Sequence, residues 1–386
     1  MSVSHMWKST ILSFPSLWSV PYLGSEVSPE IVRMFLRRSG GHPLDITIPG
    51  LRSEHRVPVP MPKFNRYSHM LDASAHLPRI RKLLVELEGE TDMKHLIRIF
   101  SEPAPSLTHL KLVAPIRESE RVPFPNLFGL EFPRLRVLKV LGMGAWPEVV
   151  GANLTRITMI HSFDPQLLKR CIPHSPNLKV LKLHGVFGFD RPDLSTWQRI
   201  TLPPGVCLSV RRSEGHPAIL SLFALPPDGH IKVKPSGNIP ITPLLLYILP
   251  ADISPLQNLD TLTRLHIKAR FNVSIKLELK CPRLDRPALE VTAGYPFVWS
   301  RTKDPQMGTS AMWIFCGLDR IVLTGVEELR MDGFVGLLEP HPPELLQFLK
   351  RMPALTSVIT ADGNEEIFRS ALNNLGCRAV LVRAGR

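Results

Sequence analysis

The stretch Ser175–Gly185, SPNLKVLKLHG, sets Leu178, Leu181 and Leu183 in a Leu-x-x-Leu-x-Leu phrase, with Pro176 two residues ahead of the first leucine. In an extended segment successive side chains alternate faces, so Leu181 and Leu183 point to one side and their flanking residues to the other. The phrase returns with Leu107, Leu110 and Leu112 after Pro105, and with Leu135, Leu138 and Val140 after Pro133. Leu355, Val358 and Thr360 follow Pro353 in the same way. Looser copies lie at Ile80, Leu83 and Val85, at Leu154, Ile157 and Met159, at Leu262, Leu265 and Ile267, and at Val326, Leu329 and Met331. The first anchors Ile80, Leu107, Leu135, Leu154 and Leu178 are 27, 28, 19 and 24 residues apart, and Val326 precedes Leu355 by 29.

Such spacing is that of leucine-rich repeats. One short strand cannot bury its apolar side alone, so the strands are expected to stack into a parallel sheet whose return segments cover the leucine rows. The expected fold is therefore α/β, a leucine-rich-repeat solenoid with a curved parallel sheet on the concave face and helices and irregular turns on the convex face. The recurring proline stops each return segment and biases the chain towards extended geometry. Several returns read as helices. Asp164-Pro165 opens one with Leu167, Leu168 and Cys171 inward; Pro343-Glu344 opens another with Leu345, Leu346, Phe348, Leu349 and Met352 inward. Another starts at Asp92, with Met93, Leu96, Ile97 and Phe100 inward, and a last one runs from Asn364 to Leu375 and stops at Gly376.

The chain has 386 residues, too many for one ordinary globular core but not for a repeat array, in which each repeat touches only its neighbours. Its 38 prolines are about twice the average share, favouring many short elements over long helices. Five cysteines, Cys171, Cys207, Cys281, Cys316 and Cys377, are odd in number and never in C-x-x-C pairs, so a disulfide framework or zinc ribbon is not expected. Cys171 and His174 are three apart with no second pair nearby, and no metal or cofactor is expected. The apolar run Ile239–Ile253 contains three prolines and is shorter than a membrane span. The segment after Lys8 imitates a signal peptide only loosely, being broken by Pro15 and Pro21. Asn153 and Asn272 open formal glycosylation sequons, yet the first abuts a core anchor, and the cysteine usage fits a cytoplasmic or nuclear location.

Residues 3–19, VSHMWKSTILSFPSLWS, place Trp7, Ile11, Leu12, Pro15, Leu17 and Trp18 along a short helix and the turn after it. A second helix follows, with Ser28 as N-cap, Pro29 first, and Ile31, Val32, Phe35 and Leu36 on one face, ending at Gly40-Gly41 before the strand residues Leu44–Ile48. This run resembles the last helix and exit of the F-box domain in fungal, basidiomycete-type F-box and leucine-rich-repeat proteins, and the repeats that follow are similar to theirs. The resemblance implies a substrate receptor of an SCF-type ubiquitin ligase. An F-box begins with a Leu-Pro-x-Glu-Ile-type segment and two earlier helices that carry most of the contact with a Skp-family adaptor, and those residues do not precede Met1 here. Adaptor binding is accordingly expected only of a longer form with a complete F-box. The expected division is residues 1–20 as F-box remnant, 21–75 as entry and cap, and 76–386 as the repeat domain, degenerate around 200–315. In that degenerate part Leu202–Pro240 reads as Pro- and Gly-rich with a weak strand at Val206–Val210, Leu244–Leu249 as a covering helix, and Arg301–Ser310 as a surface loop.

No phosphate loop, nucleophile elbow or zinc helix occurs in the sequence, and the chain is read as a binding protein rather than an enzyme. The residue between the last two anchors of each phrase must face away from the helices. These positions are Lys111, Lys139, Thr158, Lys182, His266 and Arg330, with Arg156 and Arg264 one column over. With a net charge of +13, they suggest a positive face for a target protein that is acidic or phosphorylated. The plainer reading is a solvated sheet face. Nucleic acid is not favoured, since aromatics are 7% of the chain and none interleaves with the basic column.

Overall fold

The computed structural model describes residues 4–50, 66–87, 89–114, 127–130, 133–142, 153–161, 165–185, 198–211, 216–235, 248–270, 274–281, 286–294, 318–332, 342–360 and 365–383. The chain divides into two units, Met1–Leu178 and Lys179–Arg386. Both are α/β with mostly parallel strands. The loop expected at Arg301–Ser310 and most of the helix expected at Leu244–Leu249 lie outside the described residues.

The first unit runs α1 (His5–Ser13), α2 (Pro29–Arg38), β1 (Leu44–Ile48), α3 (Arg66–Ser74), β2 (Ile80–Glu86), α4 (Glu90–Ile99), β3 (His109–Val113), β4 (Val137–Leu141), β5 (Arg156–Ile160) and α5 (Pro165–Cys171). Its five strands pair in sequence order and all in parallel. The register aligns Ile46, Leu83, Leu110, Leu138 and Ile157 in one row and Ile48, Val85, Leu112, Val140 and Met159 in another. Both rows are buried, which is the outcome expected of the alternating phrase. α3 packs against β1 and between α2 and α4, burying Met70 and Ala73.

The prolines have a more specific place than helix stoppers. Leu107 N–H donates to Ala104 C=O (3.0 Å), Leu178 N–H to Ser175 C=O (3.0 Å) and Leu355 N–H to Met352 C=O (3.0 Å). Each pair closes a four-residue turn with Pro105, Pro176 or Pro353 second, where the fixed φ of proline is already suitable. Each turn ends on the first anchor leucine. α4 begins at Glu90, two residues before the start expected at Asp92. Asp92 instead lies in its first turn, where the Tyr67 hydroxyl donates to it at 2.6 Å.

The second unit runs β6 (Val180–His184), β7 (Ile200–Thr201), β8 (Cys207–Arg211), α6 (His216–Ser221), β9 (Phe223–Ala224), β10 (His230–Lys234), β11 (Arg264–Arg270), β12 (Ser274–Lys280), β13 (Pro287–Gly294), β14 (Glu328–Asp332), α7 (Pro342–Lys350), β15 (Ser357–Thr360), α8 (Glu365–Leu375) and β16 (Val380–Arg383). Strand order in its main sheet is β6-β8-β10-β13-β12-β11-β14-β15-β16, with β7 and β9 forming a separate parallel pair. Two features correct the sequence reading. β10 stands where only a Pro- and Gly-rich stretch was expected, and β12 runs antiparallel to both of its neighbours. The three strands β11–β13 therefore form a meander inside a parallel sheet, laid down in reverse, so that β10 adjoins β13 and β11 adjoins β14. The row Leu181, Leu208, Ile231, Leu289, Leu279, Leu265, Leu329 and Val358 is nonetheless continuous and buried. α8 ends as the sequence indicates: Gly376 takes φ +61°, and Cys377 N–H returns to Leu372 C=O.

Candidate functional site

Opposite the buried leucine rows each sheet presents a second, half-exposed face. In the first unit its central row is Leu84, Lys111, Lys139 and Thr158, strand beside strand. One row away stand Asp45, Lys82, His109, Val137 and Arg156. Lys111 and Lys139 are thus direct cross-strand neighbours, and the exposed Arg156 sits one strand beyond Lys139 and one row over. Lys82 on this face and Arg81 next to it in sequence are both committed to Asp45. Arg81 donates twice to Asp45 at 2.8 Å and Lys82 approaches the same carboxylate at 2.9 Å. Burial pushes the Asp45 carboxyl up, but Arg81 and Lys82 outweigh it and hold it below its ordinary value. His109 is pushed down by burial and then by Lys82, so it adds no charge near neutral pH. Lys111 and Arg156 make no ion pair with any described residue, which leaves this face positive.

The corresponding row of the second unit is Lys182, Ser209, Lys232, Glu290, Glu278, His266, Arg330 and Ile359. It brings His266 and Arg330 together, with Arg264 one row over, while Lys182 stands five strands from His266. This row is mixed in sign rather than basic. Lys232 Nζ lies 2.8 Å from Glu290, Lys276 contacts both Glu278 and Glu290, and Lys280 is 3.7 Å from Glu278. His266 has Nδ1 3.5 Å from Glu278 and Nε2 2.9 Å from Asp332, to which Arg330 also donates. Arg264 is 3.8 Å from Glu328. The carboxylates come from β12, β13 and β14, and the anchor phrase does not reach the first two. The signal for β12 was present as strict alternation in Ser274–Lys280, SIKLELK, where Ile275, Leu277 and Leu279 are separated by Lys276 and Glu278.

The N-terminal residues behave differently. α1 buries none of its side chains, and Trp7, Ile11, Leu12 and Leu17 are exposed. Pro15 starts a 3-10 turn over Pro15–Trp18. Trp18 is the exception: its ring meets Phe35 edge-on at 5.0 Å, the Arg38 guanidinium lies 4.7 Å over it, and its indole N–H donates to Ile11 C=O. Beyond it, Ser19 and Pro21 accept from Asp45 and Thr47, so the entering chain lines the outer edge of β1.

Among the described residues no group of His, Cys, Asp and Glu is arranged to hold a metal ion, and no helix is long and apolar enough to cross a membrane. Cys171 is buried and His174 exposed. The Asn153 amide donates to Pro133 C=O, and Asn272 lies outside the described residues. No family model matches the chain, and neither a curated protein nor a solved structure is significantly similar to it.

Proposed function

We propose that the chain is a leucine-rich-repeat recognition module that binds a target protein on the exposed sheet face of its first unit, through Lys111, Lys139 and Arg156. The observation that carries this reading is the alignment of Lys111 beside Lys139 on a half-exposed row between two fully buried ones, with Arg156 adjacent. Cations aligned on a sheet face attract an acidic or phosphorylated segment, and Lys111 and Arg156 form no ion pair with any described residue. The second unit's row, where Lys232, His266 and Arg330 face carboxylates of the same unit, is not part of this reading. Capture of partners with the wild-type chain and with the Lys111→Glu, Lys139→Glu, Arg156→Glu triple variant tests it. Loss of the captured set is expected; an unchanged set sinks the basic-face reading.

We further propose, from the resemblance of residues 3–19 to the exit of an F-box, that the module serves as a substrate receptor of an SCF-type ubiquitin ligase. Support comes from the exposure of Trp7, Ile11, Leu12 and Leu17, apolar groups that further helices of the kind would cover. Binding of a Skp-family adaptor by a form that carries a complete F-box ahead of these residues is the expected outcome. The second reading is a scaffold unconnected to ubiquitin, and it is preferred if that form fails to bind.

A further inference from the structure

The two outermost strands of the sheets are finished in opposite ways. The outer edge of β1 is lined by residues 19–23, whose backbone exchanges hydrogen bonds with Asp45 and Thr47. No described residue bonds along the outer edge of β16. Val380 N–H donates inward to Thr356 C=O (2.8 Å), so by strand alternation Val380 and Val382 face their amides to β15. Ala379, Leu381 and Arg383 turn theirs to the open edge. On the exposed sheet face the same strand carries Val380 and Val382, 62% and 43% exposed. An open edge bearing apolar side chains is a template for another strand.

We propose that the occupant is the β16 of a second copy, paired antiparallel about a two-fold axis through Leu381. The strand is complementary to itself in that register. Leu381 exchanges both backbone hydrogen bonds with its own copy, and Ala379 does so with Arg383 of the copy. Val380 then lies opposite Val382 of the copy on the exposed face, and the reciprocal contact repeats it, so all four exposed valines are covered. No like charges are opposed: each Arg383 meets an alanine, and its guanidinium is already 3.3 Å from Glu365 of its own chain. The two-fold also keeps the exposed face of both second units on the same side.

Two measurements on the full chain decide it. The mass in solution, followed with concentration, is expected to rise towards twice that of one chain, and to stay at one chain in Ala379→Pro and Val382→Lys. The first removes only an outward N–H and the second sets a cation against Val380 of the copy. Val322→Lys, an equally exposed apolar position elsewhere in the unit, is the control and should still dimerise. Register is read by disulfide formation, since Val380 and Val382 of the copy would form a non-hydrogen-bonded pair. A mixture of Val380→Cys and Val382→Cys chains should cross-link well above wild type, and neither variant alone should. A wild-type chain that stays monomeric at its highest soluble concentration overturns the proposal. So does a dimer that survives both edge variants, or one that cross-links equally in either single variant.

Discussion

Glu278 and Glu290 stand directly opposite each other across β12 and β13, and Lys276 reaches both carboxylates. Like charges so placed repel. Burial raises both carboxyls, yet Lys232 beside Glu290 and Lys276 beside Glu278 outweigh it and hold both below their ordinary range. Lys276→Met is expected to cost about 1–2 kcal/mol, because it removes the shared counter-ion and leaves the repulsion. Adding Glu278→Gln should return part of that loss. Urea denaturation of the two single variants and the double variant measures the coupling, and strictly additive losses would contradict the bridge.

Arg79 closes the end of α2. Its Nη1 donates to Ser39 Oγ and to the Gly40 and His42 carbonyls, and its Nη2 to Leu36 C=O at 2.7 Å. A cation on the unsatisfied carbonyls of a helix C-terminus satisfies them and complements the dipole. Arg79→Ala should lower stability by about 2 kcal/mol, and Arg79→Lys should recover only a fraction, having no planar fork. Hydrogen exchange should show the last turn of α2 opening first. Arg351 holds the Leu318 and Ile321 carbonyls of the second unit in the same manner, so Arg351→Ala should behave alike.

Three threonines bind the strands at their entry. Thr108, Thr155 and Thr356 each offer both N–H and Oγ1 to one carbonyl at the entry of the neighbouring strand, those of Arg81, Arg136 and Glu327. Thr→Val keeps the shape and the N–H bond while removing the hydroxyl. Each replacement should cost about 0.5–1.5 kcal/mol, additively between Thr108 and Thr356, as read from denaturation midpoints.

Acid should destabilise the protein before its carboxylates titrate. Burial pushes His69, His76, His109 and His230 below their ordinary value. The unfolded chain therefore takes up protons first as pH falls through about 6.5, and stability declines until the folded values are reached. The stabilisation from Asp45, Glu278 and Glu290, all depressed, is full above their unfolded values and is lost only at lower pH, through their folded ones. A melting temperature lower at pH 5.5 than at pH 7.5 is expected. His230→Asn should reduce the difference, since His230 Nδ1–H donates to Pro287 C=O and an amide can replace it without titrating.

The anchors alone locate β2–β6, β11, β14 and β15, because a Leu-x-x-Leu-x-Leu phrase, with or without a proline turn before it, has one way to bury its apolar anchors. They fail at β10 and β12. HIKVK and SIKLELK each lack a first anchor, and only their period of two marks them as strands. The candidate site divides on the same line. Lys111 and Lys139 follow from spacing, whereas the neutralisation of His266, Arg264 and Arg330 depends on carboxylates that pairing alone supplies. The threonines are legible as well, since Leu107-Thr108, Leu154-Thr155, Leu262-Thr263 and Leu355-Thr356 repeat one dipeptide. The exposure of α1 was not legible, because its apolar content reads as a buried helix.

The reversed placement of β11–β13 constrains how the polypeptide leaves the ribosome. Strands added in order can dock as they are made, each on a finished predecessor. β10 has to wait for β13, some 50 residues later, with two intervening strands already synthesised. Translation halted near residue 260 therefore yields a second unit with β10 uncapped, and its rate of maturation is set by the closing of this meander rather than by growth from one end.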